Sequence, residues 1–237
     1  FYEINEIISI TIVGSFIDKD DLSGISDIDV IIICNTLNKK IFDKCINSFK
    51  KFNLDKCGLE NYNLKINSTF GPLKFDRPNT AVLHLMIYDT KGHKEHVINS
   101  PFTCYDWERS TEFVGLHLKQ IFSVGKIQFR DFKEARRSTD HYLMDLKTST
   151  ISFREYQSIN NEFKQIKKQM TLDPRHKGEF AYHIVKNLVS NYIKLHSNKN
   201  RLISNDEIKR FLLSSLSDNN GQYHSKKFML ISKIKDK

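Results

Sequence analysis

Residues 28–34 read Ile-Asp-Val-Ile-Ile-Ile-Cys, an apolar run with one carboxylate near its start. A run this short and this rich in β-branched residues predicts a strand, and its lack of polar alternation predicts burial on both faces. Residues 7–14 have the same character and end at Gly14-Ser15. A polar connection joins the two runs and closes with Ser26-Asp27-Ile28-Asp29. The chain is thereby committed to a sheet in which one buried strand opens with two carboxylates. At i and i+2 of a strand, Asp27 and Asp29 project to the same face, with Cα atoms about 6.5–7 Å apart. That spacing lets both reach one hard cation, or two cations about 3.5–4 Å apart. Gly14 has no Cβ to hold the backbone away from a ligand. Ser15 offers a hydroxyl to a phosphate oxygen or to the start of a helix. These are parts suited to metal-assisted phosphoryl or nucleotidyl transfer. Asp18, Asp20 and Asp21 read instead as an acidic solvated loop or helix start.

The ordered set Val13-Gly14-Ser15, then Ser26-Asp27-Ile28-Asp29-Val30-Ile31, resembles the signature of the DNA polymerase β-like nucleotidyltransferase superfamily. That signature is a hydrophobic strand, Gly-Ser, a spacer, and Asp-x-Asp flanked by hydrophobics. The resemblance implies an α+β fold: a small mixed β-sheet core with flanking helices over residues 1–104, followed by a C-terminal helical domain over 105–237. It implies Mg2+, or Mn2+ in its place, held by Asp27 and Asp29 as metal ligands and catalytic residues. It implies a nucleotide site at Gly14, Ser15 and Ser26, with ATP or another NTP as substrate. The expected reaction moves an NMP, AMP foremost, to a hydroxyl acceptor and releases pyrophosphate.

Members of the superfamily usually carry a third carboxylate on a later strand beside the Asp-x-Asp strand. Residues 80–88 (TAVLHLMIY) read as such a strand but contain no carboxylate; Asp76 precedes it and Asp89 ends it. Inside it stands His84, sharing a face with Val82, Met86 and Tyr88. An imidazole there suits a general base near neutral pH. A lone His in an apolar strand is more commonly a hydrogen-bonded core residue, and Asp76 and Asp89 each fit a turn.

The acceptor stays open among an RNA or tRNA terminus, a protein hydroxyl and a small molecule of the antibiotic type. The net charge of +9 and pI near 9.2 favour polyanionic partners. The many Asn, Ile and Lys residues also fit the compositional bias of an AT-rich genome. Aminoglycosides are cationic, so a basic chain disfavours them. The rival reading is a catalytically degenerate nucleotide- or RNA-binding module. Turnover separates the two, since a sensor binds nucleotide without releasing pyrophosphate.

The 237 residues suffice for one large or two small domains. With 17 Phe and 9 Tyr the chain is not composed like a disordered one. No stretch is apolar for long enough to predict a transmembrane helix. The four cysteines form no Cys-x-x-Cys pair, which speaks against zinc. Cys34 and Cys45 read as small buried hydrophobes in a reduced, cytoplasmic compartment. The first residue is Phe1 and not Met, which predicts a processed or partial chain.

Local periodicity predicts strands over 7–14, 28–34, 62–70 and 80–88. It predicts an amphipathic helix over 39–53, where Ile41, Phe42, Cys45, Ile46 and Phe49 fall at helical spacing. Asp89 to Gly92 reads as a turn, with 94–98 as a returning strand and His93 and His96 on an exposed hairpin. Helices are predicted over 109–122, 129–147, 153–170, 178–196 and 205–216, the last with Asn205 as its cap. The basic loop Arg175-His176-Lys177-Gly178 leads into the most apolar helix, which carries Lys186. From there Lys186 is a candidate for triphosphate binding, with a solvated lysine as the plainer reading. Arg136-Arg137 and Lys164, Lys167 and Lys168 read as solvated helix faces, the first phosphate contacts to consider if the substrate is RNA.

Overall fold

The computed structural model describes residues 5–18, 27–67, 79–159, 162–216 and 218–235. Strands β1 (Ile7–Val13) and β2 (Ile28–Cys34) pair antiparallel, with Thr11 opposite Ile31 and Val13 opposite Asp29. Helix α1 (Lys39–Lys50) follows; Asn38 caps it by accepting from the Ile41 N–H at 3.0 Å, a contact worth about 1 kcal/mol. Strand β3 (Asn63–Ile66) and the longer β4 (Thr80–Asp89) come next. Helices α2 (Thr90–Asn99) and α3 (Pro101–Trp107), strand β5 (Glu112–Gly115) and the single turn α4 (Leu118–Ile121) continue the chain. The five strands form one mixed sheet in the order β3-β4-β2-β1-β5. β4 runs parallel to both β2 and β3.

Alternation along β2 divides its side chains between two cores. Val30, Ile32 and Cys34 pack with Leu83, Leu85, Ile87, Ile41 and Cys45 on the α1 face. Ile31 and Ile33 pack with Val13, Val97, Cys104, Trp107 and Leu118 on the face covered by α2, α3 and α4. Ile31, Ile32 and Ile33 are fully buried, and each such side chain stabilises the fold by about 1.5–3 kcal/mol. This two-sided burial is why the strand reads as an unbroken apolar run. The protein is thus α+β, a mixed sheet flanked by helices.

Beyond the sheet lie α5 (Phe129–Thr148), the hairpin β6 (Thr150–Ile159) and β7 (Glu162–Thr171), α6 (Lys177–Ser197), α7 (Asn205–Ser215) and α8 (Asp218–Lys235). The compact units are Phe1–Asn99 with Thr103–Val124 and Phe153–Lys168, and Ser100–Phe102 with Gly125–Ser152 and Gln169–Lys237. In the second unit Tyr182, Val189, Ile203, Ile208, Leu212 and Phe228 form a core. There Tyr182 and Phe228 stack with ring centroids 4.9 Å apart. Among the described residues no helix is long and apolar enough to cross a membrane.

Several local expectations give way to tertiary structure. The charged helix expected over 153–170 is the β6–β7 hairpin. Its root is bonded to a buried carboxylate, Asp145, and local helical spacing of charges carries no information about that bond. The returning strand expected over 94–98 is part of α2. What reads as a turn at Asp89 is a helix start, because Asp89 Oδ1 accepts from the Gly92 N–H at 2.6 Å. His93 and His96 are consequently not on an exposed hairpin. His93 is buried, and that burial lowers its pKa. The His96 ring lies between those of Tyr88 and Trp107, with centroids 5.3 and 5.0 Å away.

Part of the helix expected over 109–122 is the edge strand β5. Gly115 pairs with Ser9 at φ +81°. A Cβ there would stand 1.9 Å from the Ile8 carbonyl oxygen, so only glycine lets the strand approach β1 this closely. The cap of α7 is Ser204 and not Asn205: its Oγ accepts from the Glu207 N–H at 3.2 Å. The carboxylate of Glu207 accepts in return from the Ser204 N–H at 3.1 Å, closing a capping box. Asn205 instead accepts from the Tyr182 hydroxyl at 3.0 Å.

Candidate metal and nucleotide site

Asp27 immediately precedes β2 and Asp29 is the second residue of that strand. Their side chains share the face of the sheet that also carries Ile31 and Ile33, as period-2 alternation requires. Parallel pairing of β2 with β4 sets Asp29 directly opposite His84. The two side chains meet: the distance from His84 Nδ1 to Asp29 Oδ1 is 2.8 Å. A carboxylate accepts only, so the imidazole N–H is on Nδ1 and donates, and a neutral ring carries its lone pair on Nε2. The side chains are 16% and 24% exposed, respectively, which shields this bond more than a surface pair is shielded.

One ligand atom from each of Asp27, Asp29 and His84 lies within 4.8 Å of the other two. Two hard carboxylate oxygens suit a divalent cation of the Mg2+ or Mn2+ kind, and the imidazole hydrogen-bonded to Asp29 stands beside them as an outer-shell partner. Gly14 forms the adjoining wall, at φ +81°. A Cβ built on it would stand 2.4 Å from Asp29 Oδ2. The glycine therefore does two things: it adopts a left-handed turn out of β1, and it leaves room for the second oxygen of Asp29.

The position beside Asp29 on the neighbouring strand is held by His84 and not by an acidic residue. Asp89 lies at the far end of β4, opposite Cys34, and caps α2; Asp76 lies outside the described residues. Asp27, Asp29, His84 and Gly14 are thus brought together. Ser15 belongs to the short 3-10 turn Gly14–Asp18, its side chain outside what is described, and Ser26 lies outside the described residues. Lys186 is on α6, with Nζ 5.9 Å above the centre of the Tyr182 ring. His176 in the basic loop before α6 is buried. Arg136 and Lys167 are exposed.

Asn67, which follows β3, stands outside the Gly-Ser and Asp-x-Asp motifs of the sequence. Asn67 has φ +52° and bonds the peptide groups on either side of His84: its N–H donates to the Leu83 carbonyl at 2.9 Å, and its Oδ1 accepts from the Leu85 N–H at 2.6 Å. The available signal is that Asn is among the few non-glycine residues that tolerate positive φ. No protein-family profile matches this chain, and no curated protein matches it.

Proposed function

We propose that this protein is a divalent-metal-dependent nucleotidyltransferase that moves an NMP from ATP or another NTP to a hydroxyl acceptor. The observation that carries this reading is the convergence of Asp27, Asp29 and His84 beside a glycine that a Cβ would close. Asp27 and Asp29 would hold the cation. Bound there, Mg2+ or Mn2+ supplies charge neutralisation for the triphosphate and lowers the pKa of a nearby hydroxyl. Gly14, with Ser15 and Ser26, grips the phosphates. Asp29 orients the His84 ring, and the imidazole takes the proton of the acceptor hydroxyl. The acceptor oxygen bonds to the α-phosphorus as the bond to the bridging oxygen breaks, and pyrophosphate leaves.

An RNA or tRNA terminus, or a protein hydroxyl, fits the net charge of +9 better than a cationic antibiotic does. The compartment we propose is the reduced cytoplasm. Cys34, Cys45 and Cys104 are free and buried, and burial pushes the Cys34 thiol up to about 12. One observation favours a second reading, a nucleotide- or RNA-binding module without turnover: an imidazole stands where the superfamily carries a third carboxylate.

The test is incubation of the protein and of an Asp27→Ala/Asp29→Ala variant with each α-32P-labelled NTP, Mg2+ or Mn2+, and a cell extract containing RNA. Label that depends on the two aspartates establishes transfer, and its sensitivity to RNase or protease names the acceptor. No label above the variant, with nucleotide still bound, moves the assignment to the binding module.

A further inference from the structure

We propose that Asn67 is a positioning residue for His84, holding the stretch of β4 that sets the imidazole beside Asp29. The inference rests on the metal-site reading above only for what His84 does once placed. β3 and β4 run parallel with Ile66 opposite Leu83, so the next rung of the ladder puts Asn67 opposite His84. In a parallel ladder such a residue makes two bonds. Its N–H donates to the carbonyl before its partner, and its carbonyl accepts from the N–H after it. The first bond is present between Asn67 N–H and the Leu83 carbonyl, at 2.9 Å. In the second the main-chain carbonyl is replaced, because the Leu85 N–H donates to Asn67 Oδ1 at 2.6 Å.

The replacement follows from backbone conformation. At φ +52° the main chain turns out of the strand, and the side-chain amide takes over the acceptor role. The ladder would otherwise end at Ile66, one rung short of the His84 level. Leu85 is fully buried, so an N–H left without an acceptor there would be costly. β2 holds the other edge of β4 at the same level, with Asp29 opposite His84. Asp29 on β2, His84 on β4 and Asn67 just past the end of β3 therefore stand in one row, and the peptide groups flanking His84 are clasped from the β3 side by Asn67. The His84 to Asp29 contact of 2.8 Å lies inside the narrow hydrogen-bond range, so a displacement of about 1 Å would break it.

The experiment compares Mn2+ binding, by electron paramagnetic resonance, in the full chain and in Asn67→Gly, Asn67→Asp, His84→Ala and Asn67→Gly/His84→Ala variants. Thermal unfolding is measured alongside. The glycine keeps the backbone conformation and removes the acceptor; the aspartate keeps both. We expect Asn67→Gly to weaken Mn2+ binding about 10-fold, as loss of an outer-shell support does, and Asn67→Asp to stay within about 3-fold of the parent. On the His84→Ala background Asn67→Gly should change nothing further, and in the metal-free protein it should abolish the His84 Nδ1–H resonance. An equal loss on both backgrounds, or no loss at all, would reduce Asn67 to an edge cap and overturn the proposal. If the glycine variant is too unstable to purify, a 10-fold loss in folded Asn67→Asp overturns it instead and retained affinity supports it. Mn2+ binding unchanged in Asp27→Ala/Asp29→Ala would sink the metal-site reading itself, a result distinct from any produced by Asn67 variants alone.

Discussion

Asp145 and Asp29 are both hydrogen-bonded carboxylates, and their surroundings differ in kind. Asp145, on α5, is 4% exposed. It accepts from Ser152 N–H and Ser152 Oγ at 3.1 Å each, and from Thr150 Oγ1 and Gln169 Nε2 at 3.4 Å each. Those donors are neutral groups of one hairpin, so the carboxylate fastens β6 and β7 to the helix. Asp29 instead faces a second carboxylate and an imidazole, beside a glycine with no side chain to fill the space. A buried acid saturated by neutral donors is a joint of the fold. An acid held next to another acid gains from a nearby positive charge, which is what the proposed cation would supply.

The largest expected effect separates these two acids. Asp29→Ala, or Asp27→Ala, should lower NMP transfer by about 10³-fold, roughly 4 kcal/mol of transition-state stabilisation, with the denaturant midpoint almost unmoved. Asp145→Ala should do the reverse, costing about 3 kcal/mol of stability by leaving buried donors without an acceptor. A midpoint that collapses in Asp29→Ala and holds in Asp145→Ala would invert the comparison. Next in size is Gly14→Ala. Its Cβ meets Asp29 Oδ2 and its φ of +81° disfavours an L side chain, so transfer should fall about 10²-fold, roughly 2.7 kcal/mol. A fall in stability with turnover per folded molecule retained would mean that Gly14 serves the turn alone.

Smaller effects test carboxylates and caps that belong to the fold. Ser204→Ala should cost about 1 kcal/mol, read from thermal unfolding, because the first turn of α7 loses its cap. Glu207 offers the smallest and a pH-dependent one. Bonds from the Arg201 guanidinium at 2.6 and 2.9 Å, then from the Ser204 N–H, hold its pKa down from 4.5 to about 2. Because the folded value is the lower one, this stabilisation is present above pH 4.5 and is lost as pH falls toward about 2. The Tm of Glu207→Gln should therefore decline less steeply than that of the parent across that window, and parallel curves would remove Glu207 from the account. No change in transfer at neutral pH is expected from either substitution.

Much of the architecture was legible in local pattern. The two strands around Gly14-Ser15, the buried β4, the amphipathic α1 and the helices α5, α6 and α7 all follow from period and composition, since each buries a face its own sequence marks out. The i, i+2 geometry of Asp27 and Asp29 follows from the strand alone. The helix α8 did not, because its apolar residues lie in no clear stripe and it is held by packing such as Phe228 on Tyr182. The β6–β7 hairpin was hidden for a related reason: its root is tied to Asp145, a residue outside both strands.

By itself, then, the sequence determined a buried strand opening on two aspartates that face one way, next to a glycine-terminated strand. Covalent spacing and the pleat require this whatever the chain does elsewhere. Only the tertiary structure decided what stands across from Asp29. The parallel register of β4 on β2 depends on how α1 and α2 pack on the two faces of the sheet, and a slip of one residue would have replaced His84 with an apolar side chain from the other face. The same packing decided that Asn67, ordinary in sequence, ends its strand at the level of the site. Pairing across strands is a contact between residues far apart in the chain, and no local pattern fixes it.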